Sequence, residues 1–301
     1  MTDLLTYLTY RAGAGIFGAL PEPIIRRLGR WAGRLYWLWD RERRAMAIRH
    51  MGRVLGRSDM RKVERAAREV FSAYGRYWAE TLWFRPRREK AVRSRVTLTG
   101  LEHLRAAQES GRPIVAALPH MGNWELAGTL SEDAGVRITA VAEALANRRL
   151  AQWFIGLRAR LGIHVVLAEG LSTMRALQND MMEGRVIALV ADRNIGGRGV
   201  EVEFFGERTA LPAGPAVLAI RNDAVLLPVV SYFKRGAGHR VMVLPPIEDP
   251  GPEDRDRMVS ITQQLANRYE DMIREAPTQW HLVQPNWPSD HDFLQRRGGD
   301  A

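Results

Sequence analysis

Short apolar runs alternate with helix-like segments along residues 96–275, and this alternation limits the possible folds more than any other feature of the chain. Two of the runs, Ile114–Leu118 and Val186–Val190, are apolar at every position, which is typical of strands buried on both faces of a parallel sheet. Glycines follow several helix-like segments, as expected at helix C-termini. The pattern predicts an α/β fold in which helices cover both faces of a central, mostly parallel or mixed sheet.

The alternation can be written out as a series of elements. The predicted strands span residues 96–98, 113–118, 138–142, 163–167, 186–191, 202–205, 225–233 and 240–244. The predicted helices span 101–109, 147–161, 172–183, 213–222 and 254–275, and one further helix opens near residue 123. The polar residues 289–301 are expected to fray, as chain ends commonly do.

Composition limits the chemistry that this fold can perform. The 301 residues are 46% hydrophobic and 26% charged, which suits a single structural domain with a substantial core. We expect residues 1–95 to form a helical region packed on an α/β core of residues 96–301. The chain contains no cysteine, so disulfides, thiolate nucleophiles and cysteine metal sites are excluded. Its chemistry must come from His, Asp, Glu or Ser.

Positive charge is concentrated in the N-terminal third of the chain. Residues 1–95 hold 22 basic and 9 acidic residues, whereas the remainder holds 22 and 25. Two groups of aromatic residues are interleaved with these arginines: Trp31, Tyr36, Trp37 and Trp39, then Tyr74, Tyr77, Trp78, Trp83 and Phe84. Arginine beside tryptophan and tyrosine suits the interface of an anionic membrane, with nucleic acid as the competing partner.

A second interpretation of the first aromatic group stays open. Trp31, Leu35, Leu38 and Trp39 recur at helical spacing, so they could equally be the core face of a helix. Residues 4–20 form another apolar helix-like segment, which is too short and interrupted to span a bilayer and lacks the basic start of a secretory signal. The sequence therefore predicts an N-terminal helical segment that lies on a membrane without crossing it.

A histidine and an acid follow the two fully apolar strands. His120 comes just after the first and Asp192 just after the second, and ligands of open α/β sheets bind at such strand ends. If the strands are neighbours, Asp192 could orient the imidazole so that its other nitrogen takes a proton. Glu125 lies near a predicted helix start, where a carboxylate can simply stabilise the helix dipole. A purely structural histidine also stays open.

Other catalytic arrangements receive less support. The chain has no G-x-S-x-G motif, so a serine nucleophile is not indicated, and the hydroxyl of a substrate must attack instead. A metal at His120 is also disfavoured, because no second histidine stands four residues away. We expect no metal and no bound cofactor.

Four segments together resemble a known family. They are Leu118-Pro119-His120-Met121-Gly122-Asn123-Trp124-Glu125, Phe204-Phe205-Gly206, Leu211-Pro212-Ala213-Gly214-Pro215-Ala216 and Trp280-His281-Leu282-Val283-Gln284-Pro285. In order and spacing they are similar to the bacterial lipid acyltransferases of the lipid A lauroyl/myristoyl type, and within that superfamily to the actinobacterial phosphatidylinositol mannoside acyltransferases. The similarity runs from about residue 73 to residue 287.

The resemblance assigns roles to individual residues. It implies that His120 is the general base and Asp192 its partner in a dyad, at a position where the mannoside enzyme has glutamate. Glu125 fills the acidic position of the family's His-x4-Asp/Glu motif and is counted with the dyad. Glu143 and Arg158 match as walls of the site, or alternatively as members of a buried ion pair.

The reaction implied is transfer of an acyl group from acyl-CoA, as a co-substrate, to a sugar hydroxyl of a membrane glycolipid. The amides of Gly122 and Asn123 would stabilise the oxyanion. Arginines would meet the CoA phosphates, and an apolar groove would take the alkyl tail. The candidate arginines are Arg148, Arg149, Arg158, Arg193 and Arg198. We expect a monomer bound peripherally to the anionic cytoplasmic face of the inner membrane.

Two alternatives remain at this stage. A lipid A type enzyme would share the fold and dyad but take a glucosamine-based acceptor, with acyl carrier protein or CoA as donor carrier. The presence of only three lysines suggests a GC-rich genome such as that of an actinobacterium, which favours the mannoside acceptor. The other alternative is a non-catalytic membrane- or nucleic-acid-binding protein. No nucleic-acid motif is present, so we expect no nucleic-acid partner.

Overall fold

The computed structural model describes residues 2–143, 146–168, 170–195 and 199–298. The helices of this part are α1 Thr2–Ala19, α2 Glu22–Trp39, α3 Arg41–Leu55, α4 Met60–Trp83, α5 Glu89–Arg93, α6 Leu101–Glu109, α7 Trp124–Ala127, α8 Arg148–Ala159, α9 Leu171–Met182, α10 Gly214–Asn222, α11 Arg257–Glu275 and α12 Pro288–Gly298. The strands are β1 Val96–Thr99, β2 Ile114–Leu118, β3 Arg137–Ala142, β4 Ile163–Leu167, β5 Arg185–Val190, β6 Val200–Phe204, β7 Glu207–Leu211, β8 Val225–Phe233 and β9 His239–Val243.

Seven strands form the central sheet in the order β1-β9-β8-β2-β5-β3-β4. All neighbouring strands are parallel except β8 and β9, which run antiparallel. The two fully apolar strands, β2 and β5, are direct neighbours near the middle, and every residue of β2 is buried. The predicted α/β fold with a mostly parallel, mixed sheet is therefore confirmed.

The two faces of the sheet bury different residues of the same strands. Val115 and Ala117 of β2 pack in the large core that includes residues of α3, α4, α10 and α11. Ile114, Ala116 and Leu118 face the other way, into a smaller core with Leu104 of α6. This division follows from the period-two direction of side chains along a strand.

A hairpin outside the central sheet was only half predicted. Strand β6 was predicted from the sequence. Strand β7, which pairs with β6 in the antiparallel direction, was not predicted. The two residues that join them, Phe205 and Gly206, both have positive φ, at 53° and 72°. A two-residue loop of this kind closes a tight hairpin, but a phenylalanine is an unusual residue for it, so the turn signal was hidden.

Helix α2 packs on α4 at very close range. Its buried residues Ile25, Gly29, Gly33 and Trp37 are spaced four apart along one face. A Cβ on Gly33 would overlap the backbone oxygen of Phe71 in α4, so only glycine allows this approach. The two helices are thereby fixed against each other along most of their length.

The opposite face of α2 is exposed. Trp31, Leu35, Leu38 and Trp39 have exposed fractions of 60%, 44%, 66% and 90%. The interpretation of these residues as a core face is therefore wrong, because the glycine-containing face makes the contact with α4. Helix α1 likewise exposes Leu4, Leu5, Leu8 and Ile16. None of the helices in the described ranges combines the length and the hydrophobicity that a membrane span needs.

The second aromatic group does not belong to that exposed surface. Tyr77, Trp83 and Phe84 are buried, and Arg76 beside them is 1% exposed. Their expected place at a membrane interface is wrong, since α4 lies between α2 and the core and uses these rings for packing. The division into residues 1–95 and 96–301 stays a prediction.

The C-terminal segment is ordered as α12 up to residue 298, so the expectation of fraying is wrong for this part. Asp290 on its first turn is fully buried. It accepts hydrogen bonds from Arg49 Nε at 2.7 Å and Arg53 Nη2 at 2.9 Å, and His50 Nε2 lies 3.1 Å away. Three cationic or polar groups of α3 therefore hold α12 in place.

Candidate active site

Parallel pairing of β2 and β5 brings His120 and Asp192 together. Leu118 lies opposite Val190 at the carboxyl ends of the two strands, so residues two positions further on meet just beyond the sheet. His120 Nδ1 is 2.5 Å from Asp192 Oδ1, and the His120 backbone N–H donates to Asp192 Oδ2 at 3.0 Å. The condition that the two strands be neighbours is met, and the Asp192 side chain reaches His120 directly.

Asp192 is surrounded by hydrogen-bond donors in a fully buried position. Trp280 Nε1 donates to its Oδ2 at 2.7 Å, and Asn286 Nδ2 donates to its backbone oxygen at 3.0 Å. Burial alone would raise the pKa of Asp192, but the attraction of His120 and the hydrogen bonds from His120 and Trp280 outweigh it and lower the pKa. Asp192 is consequently an anion at neutral pH.

An ionised Asp192 decides which imidazole nitrogen carries the proton. A carboxylate can only accept, so Nδ1 of His120 must donate to it. In neutral His120 the lone pair is therefore on Nε2. The His120 side chain is 27% exposed while that of Asp192 is 0% exposed, so the pair presents one basic nitrogen to solvent and keeps its counter-charge inside.

A cleft opens above this nitrogen. Of the predicted site residues, His120, Glu125, Glu143, Arg158 and Arg193 all line it. Further lining comes from Trp124, whose ring meets the His120 ring edge-on at 5.4 Å, and from Tyr77, Trp78 and Thr81 of α4. The cleft thus joins residues from the ends of β2, β3 and β5 with side chains of α4 and α8.

Glu125 is held by an ion pair within the cleft wall. Arg158 Nε lies 3.0 and 3.1 Å from the two carboxylate oxygens, and Arg158 Nη2 donates to Oε1 at 2.7 Å. The Tyr77 hydroxyl also donates to Oε1, at 3.3 Å. Burial and the charge of Glu125 raise the pKa of Tyr77. Arg158 therefore does form an ion pair, but with Glu125. Glu143 is exposed, so the alternative that Glu143 belongs to a buried ion pair is wrong.

The turn after His120 is tightly packed. Gly122 has a φ of 58°, and a Cβ there would overlap the backbone oxygen of Ser231. Its N–H already donates to the oxygen of Gln279 at 3.1 Å, which speaks against the predicted use of this amide for an oxyanion. The Asn123 side chain is fully buried and caps α7 by accepting from the Leu126 N–H at 3.2 Å. The role of the Asn123 amide stays a prediction.

The remaining predicted arginines lie elsewhere. Arg148 is exposed on the first turn of α8, and Arg149 lines a separate surface pocket with Tyr7 and Arg11. Neither lines the cleft above His120. Arg198 lies outside the described residues. The expected meeting of five arginines around one ligand is thus reduced to Arg158 and Arg193 within the described part of the chain.

An apolar cavity continues inward from the cleft. Trp124, Glu125, Val141, Arg158 and Val190 line both spaces. Beyond them the cavity runs between the sheet and α6, and its walls are almost entirely aliphatic. They include Leu98, Leu104, Ala116, Leu118, Leu130, Ile138, Val186, Ala188 and Leu227. A ligand that combines a polar reactive group with an alkyl chain fits this shape.

Comparisons with known proteins show the family of this chain. The family model for bacterial lipid A biosynthesis acyltransferases matches residues 2–289. A phosphatidylinositol mannoside acyltransferase from Mycolicibacterium smegmatis is 32% identical over 288 residues, covering 95% of this chain and 92% of that protein. One from Mycobacterium tuberculosis is 33% identical over 295 residues, covering 96% and 91%. The chain belongs to the lipid A biosynthesis acyltransferase family.

Membership in this acyltransferase family implies that the substrates are an acyl donor and a lipid acceptor. An aliphatic cavity beside a histidine suits substrates of this kind. The acceptor and the carrier of the acyl group are finer questions that family membership leaves open.

Sequence reasoning missed several residues around the pair in this acyltransferase. Trp280 and His281 were noted only as part of a motif, although Trp280 donates to Asp192 and His281 Nε2 donates to the Gly122 oxygen at 2.8 Å. Asn286 was missed altogether. The signal that could have revealed them is the group of polar and aromatic residues at 280–287, which lies outside every predicted helix and strand. Burial lowers the pKa of His281 to about 4, so it is neutral near pH 7.

Proposed function

We propose that this acyltransferase moves a fatty acyl group from acyl-CoA to a sugar hydroxyl of a phosphatidylinositol mannoside. The observation that carries the proposal is the His120–Asp192 pair at the junction of a polar cleft and an aliphatic cavity. A thioester carbonyl placed at that junction would have its alkyl chain inside the cavity and its carrier outside. The acceptor hydroxyl would then approach through the cleft.

We assign the role of general base to His120 Nε2, the ring nitrogen that does not face Asp192. It would remove the proton of the sugar hydroxyl as that oxygen attacks the thioester carbon, and Asp192 would stabilise the imidazolium that forms. The tetrahedral intermediate then collapses, the carbon–sulfur bond breaks, and the imidazolium returns its proton to the thiolate of CoA. Base catalysis of this kind contributes roughly 10²–10⁴-fold to a rate.

Polar groups in the cleft support a sugar as the acceptor. Glu143 and Arg193 line it, and Thr81 adds a hydroxyl oxygen that is buried and has no hydrogen-bond partner within the described residues. A buried hydroxyl without a partner costs free energy, which a ligand hydroxyl can recover. The two mycobacterial relatives bear the name of an enzyme for a mannosylated lipid, which supports the same acceptor class.

The exposed apolar face of α1 and α2 supports association of the enzyme with a membrane surface. Trp31, Leu38 and Trp39 project apolar area, and Arg27, Arg30 and Arg34 of α2 are exposed among them. Indole rings at headgroup depth beside guanidinium groups suit an anionic bilayer. We propose peripheral association through this face, which would bring the enzyme to its lipid acceptor.

The test is acyl transfer by purified protein with acyl-CoA and a detergent-dispersed phosphatidylinositol mannoside. His120→Ala should lose at least about 100-fold in kcat because the base is removed. His164→Ala is a matched control, since His164 Nε2 also lies near an aspartate, Asp180, at 3.8 Å but outside the cleft. A near wild-type rate for His120→Ala would refute the proposed base.

The same assay separates the alternative acceptor and donor. Running it with a glucosamine-based lipid, and with acyl carrier protein in place of CoA, tests the lipid A type reaction named by the family model. Faster transfer to the glucosamine lipid would overturn the mannoside proposal while leaving the His120 mechanism intact.

A further inference from the structure

A basic pocket lies between α1 and α8, separate from the cleft above His120. It is lined by Tyr7 and Arg11 of α1 and by Arg149, Gln152, Trp153 and Arg160 of α8 and its C-cap. Its residues on α8 recur at helical spacing, whereas the cleft uses Ala151, Phe154, Ile155 and Arg158 of the same helix. The two spaces therefore lie on different faces of α8.

No acidic residue lines this pocket within the described part of the chain. Arg11, Arg149 and Arg160 form no ion pair within the described residues, and the one polar contact among them is donation from Arg11 Nη1 to the Tyr7 hydroxyl at 3.2 Å. Burial and then the charge of Arg160 lower the pKa of nearby Arg85. Three guanidinium groups around one concavity repel each other, and an anion between them would relieve that repulsion.

Guanidinium groups are well matched to phosphate. Their planar N–H forks bind phosphate oxygens in pairs, and the Tyr7 hydroxyl and the Gln152 amide offer further hydrogen bonds at the pocket wall. The half-buried Trp153 ring adds an apolar part to the wall. The chemistry of the pocket is therefore that of a phosphate ester site.

The surroundings of the pocket indicate a lipid. Leu4 and Leu8 lie one turn before Tyr7 and Arg11 on α1, with exposed fractions of 43% and 51%. The Tyr10 ring contacts the rings of Trp153 and Phe154 at 6.2 and 5.8 Å, which holds α1 on α8. A phosphate in the pocket would thus have an exposed apolar helix face beside it, as a lipid headgroup at a bilayer surface requires.

We propose that Arg11, Arg149 and Arg160 bind the phosphodiester of an anionic membrane lipid at a site distinct from the acyl-transfer cleft. This site would fix the orientation of the enzyme on the membrane through a specific contact, in addition to the apolar face of α1 and α2. The phosphates of CoA are the other possible source of the same chemistry. The lipid is favoured because the pocket and His120 lie on different faces of α8.

The test compares binding of two probes. Vesicles of phosphatidylcholine with and without phosphatidylinositol are titrated by sedimentation, and free CoA is titrated by calorimetry. Each basic residue near an anionic surface contributes about fivefold to binding, so Arg11→Gln/Arg160→Gln should weaken binding to phosphatidylinositol vesicles about 30-fold. Arg105→Gln removes one exposed charge from α6 and should change binding less than twofold.

Each outcome decides the proposal. Loss of vesicle binding with unchanged CoA affinity supports it. Loss of CoA affinity, with or without loss of vesicle binding, would assign the pocket to the acyl donor. It would overturn the proposal that the pocket binds a membrane lipid. An effect no larger than that of Arg105→Gln would overturn the site itself. The binding measurement can be made in His120→Ala protein, so its failure is distinguishable from failure of the acyl-transfer proposal.

Discussion

Replacing Asp192 with asparagine should switch the tautomer of His120. Asp192 Oδ2 accepts two fixed donors, the His120 backbone N–H and Trp280 Nε1, whereas Oδ1 faces only His120 Nδ1. An amide has one accepting oxygen, which the two fixed donors will draw to the Oδ2 position. Its NH2 group then faces Nδ1, which must become an acceptor. The proton moves to Nε2, and the base is lost.

The size of this effect follows from the role of the carboxylate. The variant loses both the correct tautomer and the negative charge that stabilises the imidazolium. The equivalent change in a serine protease triad lowers kcat about 10⁴-fold, so we expect a loss of roughly 10³–10⁴-fold here. This corresponds to about 4–5 kcal/mol in the activation free energy. Trp280 and Asn286 remain in place to hold residue 192, so the fold should survive.

The measurement is kcat for acyl transfer together with the ¹⁵N chemical shifts of the His120 ring in labelled protein. Asp180→Asn is the matched control, because Asp180 lies near His164 at 3.8 Å but outside the cleft. Activity of Asp192→Asn within tenfold of wild type would refute the reasoning. So would a variant in which Nδ1 still carries the proton.

Three further outcomes concern stability. Gly33→Ala should lower the free energy of unfolding by about 1–3 kcal/mol in urea titrations, because its Cβ meets the α4 backbone, whereas Gly13→Ala has open space and should gain up to about 1 kcal/mol. Asp290→Ala should lower the free energy of unfolding by about 3–5 kcal/mol, because it leaves Arg49 and Arg53 without their carboxylate partner. The exposed Asp292→Ala should lower it by less than about 0.5 kcal/mol. Similar values for the two variants would contradict the proposed role of Asp290 in holding α12. The pKa of His281 is about 4 in the folded protein and 6.5 ordinarily. Neutral His281 therefore contributes fully to the free energy of unfolding above pH 6.5, and this contribution falls by about 3 kcal/mol as the pH drops to 4. His281→Gln should reduce the pH dependence of the free energy of unfolding between these two values.

The predictable part of the fold is the part with continuous apolar runs. Strands β4 and β8 were predicted with their observed limits, and β2 and β5 to within one residue, because each is a mainly apolar run. Strand β7 was missed because it begins with three polar residues, Glu207, Arg208 and Thr209, and its turn contains a phenylalanine at positive φ. Helix α12 was missed because its buried acid is stabilised by α3, far away in the chain.

The candidate site likewise has residues that could be predicted from the sequence and residues that could not. His120 and Asp192 follow apolar strands and could be singled out from sequence, and their contact required only that β2 and β5 be neighbours. The second donor to Asp192 comes from Trp280, which lies in no strand and reaches the site through the packing of the segment before α12. Arg149 was placed at the same ligand as Arg158, but the helical period puts them on different faces of α8.

Local pattern by itself determined the α/β class and singled out His120 and Asp192 as candidates, because buried strands and their ends leave a signature in adjacent residues. Tertiary structure alone decided which face of α2 is exposed, since the glycines that bring α2 against α4 leave Trp31 and Trp39 outside. It also decided that an aliphatic cavity opens beside His120. Both depend on how elements distant in sequence pack, and that packing is set by free energies that no single segment contains.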